Sequence, residues 1–197
     1  MRLIDITQRV DEVSPAYPGD ASLSIERTAK EPALVSAFRM SSHLGTHVDA
    51  PSHLHRKGDV CDIDCSRLIG TCQLVHIPKM SGPISPRDFP NISEKILLIR
   101  TGFVAGDVWK SSFAYLTVES VQWLVSQGVD VIGIDTPSID SGDSHELASH
   151  ICAIDAGILI LENLCLTNVA PAIYQLIALP LKIKGLEASP VRAVLLK

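Results

Sequence analysis

The sequence predicts a mixed α/β fold in a single domain spanning residues 1–197, and three observations carry that reading. The chain has 197 residues, 46% of them hydrophobic, enough to bury one sizeable core. Short apolar runs alternate with Pro/Gly/Ser segments through its first half, the pattern of strands and turns. Helical periodicity with start and stop signals comes only later, so the helices are few and are added to a sheet. No repeat, low-complexity tract or linker composition interrupts the chain.

Taken in order, residues 3–6, 38–42, 71–77 and 96–100 read as strands, with an irregular stretch at 80–90. Thr117 can N-cap a helix that places Val118, Val121, Leu124 and Val125 on one face and ends at Gly128. Residues 129–134 then form a buried strand. Asp143 or Ser144 can cap a second helix that Gly157 terminates. In it Leu147, His150, Ile151 and Ile154 fall at i, i+3, i+4 and i+7, which turns His150 inward. His145, in the first turn and off that stripe, faces solvent. Residues 158–161 run as a strand and deliver Glu162 at its far end.

Rise per residue tests whether His150 and Glu162 can meet. The helix advances about 10 Å from His150 to Gly157, and the strand returns about 13 Å to Glu162. If the strand packs back antiparallel along the helix, Glu162 ends level with His150. A buried imidazole and a buried carboxylate both need partners. An ordinary His–Glu hydrogen bond and a shared metal fit this geometry equally.

The formal net charge of −5, without any Lys/Arg run, argues against nucleic acid or an anionic membrane as partner. An acid at position 5 is too early for a signal peptide, and no apolar run approaches the roughly 18 residues of a membrane span. The expectation is a soluble, cytoplasmic protein whose five cysteines stay reduced. Cys61 and Cys65, lacking a second pair, are expected to pack in the core. No Gly-x-Ser-x-Gly elbow, phosphate loop or Gly-x-Gly-x-x-Gly fingerprint is present.

The densest chemistry lies at His43-x-Gly-Thr-His47-x-Asp49-Ala-Pro-x-His53. His47 and Asp49 share a face if the chain is extended, and Gly45 lets the backbone turn so that His43 also points inward. Pro51 biases Ala50 toward an extended conformation and sets the direction of His53. One histidine in such a segment would be hydrogen-bonded or solvated, but four of the seven fall between His43 and His55. Imidazoles with a carboxylate suit zinc, manganese or iron(II), and the lack of cysteine among them points to a catalytic rather than a closed structural site. His55 and His76 read as a solvated turn residue and a strand residue; Asp135 and Asp140 sit where a buried strand exits into a loop and could line the site, but turn or capping roles are favoured for them.

The histidine motif resembles the signature of the metal-dependent cyclase family and, within it, the bacterial kynurenine formamidases, or arylformamidases. The likeness runs through Ile4-Asp5-Ile6, Tyr17-Pro18-Gly19-Asp20, Tyr115-Leu116-Thr117, Gly133-Ile134-Asp135 with Pro137-Ser138, Leu161-Glu162-Asn163, and the tail around residues 176–181 and 188–194. It implies a swivelling β/β/α-type fold, a homodimer and a binuclear centre of two zinc ions per subunit, manganese being the alternative. His43, His47 and Asp49 would bind one metal, Asp49 and Glu162 would reach both, and His150 would complete the second. His53 would be the proton donor and acceptor rather than primarily a ligand. The implied activity is hydrolysis of a carbon–nitrogen amide bond, that of N-formyl-L-kynurenine. Tyr17 stands where these formamidases usually have Trp before Pro-Gly-Asp, which keeps an aromatic platform with a smaller face. Two other readings are a sister, manganese-dependent hydrolase of another aryl or cyclic amide such as isatin, and a metal- or ligand-binding protein without turnover. Retention of His53 speaks against the second, since a pure binder needs no proton shuttle.

Overall fold

A computed structural model describes residues 2–106 and 108–197. Twelve strands are found among them: β1 (Leu3–Asp5), β2 (Ser24–Lys30), β3 (Ala33–Arg39), β4 (His47–Asp49), β5 (Ile69–His76), β6 (Gly82–Ile84), β7 (Ile96–Arg100), β8 (Ala114–Leu116), β9 (Val131–Ile134), β10 (Leu159–Glu162), β11 (Ala172–Pro180) and β12 (Ala188–Leu196). Two α-helices accompany them, α1 (Val118–Ser126) and α2 (Ala148–Asp155). The main sheet runs β1-β12-β11-β5-β7-β9-β10-β4, and β4 pairs in turn with β12, which closes the sheet into a barrel. The fold is mixed α/β, as the sequence predicts.

The apolar runs of β7, β9 and β10 are buried on both faces, so alternate residues serve two cores. Leu98, Val131, Leu159 and Leu161 join Ile6, Val48 and Leu176 inside the barrel. Leu97, Ile99, Ile132, Ile134 and Ile160 pack outward against Val121 and Leu124 of α1 and Ala153 of α2. Gly133 belongs to the inner face, where an added Cβ would come within 2.5 Å of Leu98 Cδ2 and 2.7 Å of Leu164 Cδ1. A larger residue there would have to displace both leucine methyls.

Thr117 caps α1 as expected, its hydroxyl accepting from the Ser120 amide at 3.2 Å. Val121 and Leu124 are buried but Val125 is exposed, so the apolar face is narrower than the pattern suggests. The start of α2 differs from expectation. Neither Asp143 nor Ser144 caps it; the helix begins at Ala148, and the Asp140 carboxylate accepts from the amides of Ser149 and His150, both at 2.9 Å. Ser144 instead accepts from the Leu147 amide in the preceding turn. Leu147 therefore lies outside the helix and Ile151 is exposed; the face that turns inward carries Ser149, His150 and Ala153.

The strand expected at 38–42 is only the end of β3, which pairs with β2 in a hairpin joined to no other strand among the described residues. The stretch at 80–90 holds β6, paired in parallel with β8. Cys65 is exposed and Cys61 only half-buried, contrary to the core role expected of them. Asp59 and Asp64 cap two short 3-10 turns there, and Val60 and Leu68 take the buried positions.

Candidate metal centre

Strand pairing builds the centre. His47 and Asp49 alternate onto one face of β4, and the antiparallel register with β10 sets Glu162 opposite His47. Their other neighbour is β12, where Ala188 lies opposite Asp49. Gly45 adopts φ +74 in the turn before β4 and leaves room for Val10; this turn carries His43 to the same place. Helix α2 supplies His150. A short 3-10 turn, Pro51–Leu54, holds His53, and the exposed Arg56–Asp155 pair, with contacts of 2.8 and 3.0 Å, ties that turn to α2.

The side chains converge on Asp49. Its Oδ1 lies 3.3 Å from His43 Nδ1 and 3.5 Å from His47 Nε2, and its Oδ2 lies 3.5 Å from His150 Nε2. Glu162 is likewise shared, with Oε2 3.4 Å from His47 Nε2 and Oε1 3.2 Å from His150 Nε2. The His150–Glu162 contact bears out the distance argument. Both Asp49 oxygens are buried without any hydrogen-bond donor, which is costly unless a cation satisfies them.

The outward nitrogens of the imidazoles are held by other groups. His47 Nδ1 donates to the Gly45 carbonyl at 2.8 Å, and His150 Nδ1 to Asp140 Oδ2 at 2.7 Å. His43 Nε2 lies 3.5 Å from Glu187 Oε1, and Glu187 also accepts from the Ser42 hydroxyl. Each ring thus presents its remaining nitrogen to the carboxylates, the arrangement that orients imidazole ligands around metals.

The electrostatics agree. Burial works against charge on His47, but Glu162 and Asp49 outweigh it and raise its pKa to about 9. Burial acts the same way on His150, and Glu162, Asp140 and Asp49 overcome it to hold its pKa well above the usual value. Burial would also protonate Asp49, yet His150, His43 and His47 pull it well below the carboxylate range; Glu162 is lowered in the same way by His150 and His47. Two ionised carboxylates buried together demand cationic partners; without metal the protonated His47 and His150 fill that role, and a divalent cation would take it over by displacing their protons.

Among the described residues, two groups bring ligand atoms within 4.8 Å of one another: His43, His47 and Asp49, and Asp49, His53 and His150. Asp49 belongs to both. His53 therefore stands within reach of ligation as well as of proton transfer. Burial lowers its pKa, and its ring centroid lies 4.5 Å from that of His43.

The cluster opens into a cleft of about 550 Å³ lined also by Tyr17, Trp109, Glu187 and His145. His145 is exposed as expected but borders this cleft. His55 and His76 are exposed, in a turn and in β5. Asp135 accepts from Thr101 and Gly102 amides, the turn role expected of it, whereas Asp140 caps α2 and also holds His150. From sequence the capping duty is preferred to a place at the site, and Asp140 has both. Sequence reasoning missed Glu187 and Trp109, neither of which lies in a segment whose residue pattern marks it for chemistry.

The family model described as "Putative cyclase" matches residues 4–141. A kynurenine formamidase from Salinibacter ruber is 35% identical, with 99% of this chain and 97% of that protein covered. One from Delftia acidovorans is 38% identical, with 98% and 97% covered. Among solved structures, a protein from Bacillus stearothermophilus described as a predicted metal-dependent hydrolase superposes with a TM-score of 0.86 at 26% identity, covering 98% of this chain and 97% of its own. Isatin hydrolase A from Labrenzia aggregata shares the fold, with a TM-score of 0.86 at 23% identity and coverage of 98% and 93%. The chain belongs to the cyclase family. The matched span ends before His150 and Glu162, so their membership of the site rests on the contacts above.

Proposed function

We propose that the chain is a metal-dependent arylformamidase that hydrolyses N-formyl-L-kynurenine to L-kynurenine and formate, working as a cytoplasmic homodimer. The observation that carries the metal dependence is Asp49, whose two buried oxygens lack hydrogen-bond donors and face different imidazoles. The substrate is supported by the formamidases that align with nearly the whole chain.

In this reading His43, His47 and Asp49 would hold one cation and His150 would complete the site of a second, with Asp49 and Glu162 serving both. Two zinc ions fit this set, with manganese as the alternative. When bound, such cations supply Lewis acidity and lower the pKa of water toward neutrality. The chain's own groups do the rest. Asp140 and the Gly45 carbonyl fix the ring orientations of His150 and His47. His53, whose pKa burial lowers, would take the proton of the attacking water on a ring nitrogen and return it to the departing aryl nitrogen. Tyr17 bounds the aryl ring at the mouth.

Metal analysis followed by hydrolysis assays tests this. Formylkynurenine turnover that disappears on chelation and returns with zinc or manganese supports it. A clear preference for isatin would move the chain to the sister activity, and bound metal without turnover of formylkynurenine, isatin or an aliphatic formamide would favour a binding protein. The homodimer is supported by the β2–β3 ribbon, which leaves Leu34 and Phe38 each 65% exposed although a lone hairpin is marginal in water. Sedimentation at a monomer's mass would remove that part. No helix of the described residues is long and apolar enough to cross a membrane, and all five cysteines are free, which suits the cytoplasm.

A further inference from the structure

The chain has two tryptophans, and they occupy contrasting places. Trp123, on α1, stacks on Phe89 with centroids 5.4 Å apart and planes at 29°, and it packs against the outer core. Trp109 lies between β7 and β8 and lines the cleft above the carboxylate–imidazole cluster. Its ring meets Phe113 edge-on at 6.2 Å and 82°, and Phe113 is itself fully buried. On its other side Trp109 meets Tyr17 at 5.2 Å and 76°. The indole is thus anchored to the core through one aromatic neighbour and braced by another.

Planes at 76° form a corner. A flat ring laid along one wall necessarily stands across the other, so both walls contact a planar ligand only if it enters in one orientation. Trp109 offers the broader face and is the better anchored, whereas Tyr17 is 47% exposed. Rigid aromatic walls bind flat groups at little entropic cost.

We infer that Trp109 is the specificity-determining residue of the cleft: its indole stacks on the aryl group of the substrate, and Tyr17 braces it. This rests on the proposed hydrolysis of an aryl amide, but binding can be read without turnover. In a Trp123→Phe background Trp109 is the one remaining indole. Titrating metal-loaded protein with o-aminoacetophenone, an aryl ketone amine with no amide to cleave, should quench its emission saturably, and an aliphatic ketone of similar size should not. Absence of saturable quenching overturns the assignment.

Kinetics supply the second arm. Trp109→Ala should raise KM for formanilide by about 2- to 13-fold, the span expected for one aromatic contact, with kcat held and KM for N-butylformamide unchanged. Trp109→Phe should fall between wild type and Trp109→Ala. Equal losses on both formamides would make Trp109 a merely structural residue and sink the inference. If neither formamide is hydrolysed, the proposed activity fails while the quenching result still decides the role of Trp109.

Discussion

His47, Asp49 and Glu162 sit on paired strands of a closed sheet and are at most 3% exposed, whereas Tyr17 and Trp109 reach the same cleft from loops, and Tyr17 is nearly half exposed. Strand register fixes the first group with little freedom. Loop anchoring and edge-on ring contacts fix the second. Under the proposed function the contrast separates two jobs: the barrel would determine what chemistry the cleft performs, and the loops what is brought to it. Changes in the cluster should therefore alter metal content and kcat for every substrate, while changes in the aromatic corner should alter KM for aryl substrates alone.

The largest effect is expected at the shared carboxylates. Asp49→Ala and Glu162→Ala should each empty or cripple the metal centre, with losses beyond the roughly 10- to 100-fold typical of outer-shell changes. Two metal equivalents per chain and wild-type turnover in both variants would disprove sharing. His53→Ala comes next, losing on the order of 10²- to 10⁴-fold in turnover while retaining most of its metal, in contrast to His43→Ala, which should lose metal. Equal metal loss in the two would make His53 a ligand, as its place beside Asp49 and His150 also permits.

Asp140→Ala should cost about 10- to 100-fold in metal affinity or activity and also loosen the start of α2, whose amides it accepts. Asp140→Asn separates the two duties, since the amide oxygen can still cap the helix but no longer brings a charge to His150. Unchanged metal affinity in Asp140→Asn would reduce Asp140 to a cap. The smallest effect is expected at Tyr17. Tyr17→Ala should raise KM for aryl formamides through loss of a contact worth about 0.5–1.5 kcal/mol, and Tyr17→Trp should leave hydrolysis unchanged or improve it. A fall in kcat for aliphatic formamides in Tyr17→Ala would blur the division between barrel and loops.

The cluster was legible in sequence because chemistry and periodicity coincide there. His43, His47, Asp49 and His53 lie in one local segment, and a rise-per-residue estimate brings His150 to Glu162. What escaped depends on partners distant in the chain. Glu187 meets Ser42 across 145 residues, and no local pattern announces that contact. The β2–β3 ribbon escaped because β3 is exposed along its whole length and has no buried face to impose alternation. Val125 and Ile151 read as core by spacing, but the buried stripe is narrower than the pattern, Ser120, Val121 and Leu124 on α1 and Ser149, His150 and Ala153 on α2. The capping of α2 was misassigned because Asp140 acts from outside the local window, across a turn, where Asp143 and Ser144 match the usual spacing better.

Strand β12 runs between distant parts of the chain, with residues 188–190 against β4 and residues 194–196 against β1. During synthesis the histidine-rich segment leaves the ribosome on the order of ten seconds before the strand that secures its second edge, at about 5–20 residues per second. Contacts this remote form late. A chain stopped before Ala188 should bind zinc no better than a free peptide of residues 43–53, a comparison that equilibrium dialysis can make. On that outcome the nascent segment would be a weak and unselective binder, and the choice of metal would fall to the closed barrel at the end of folding.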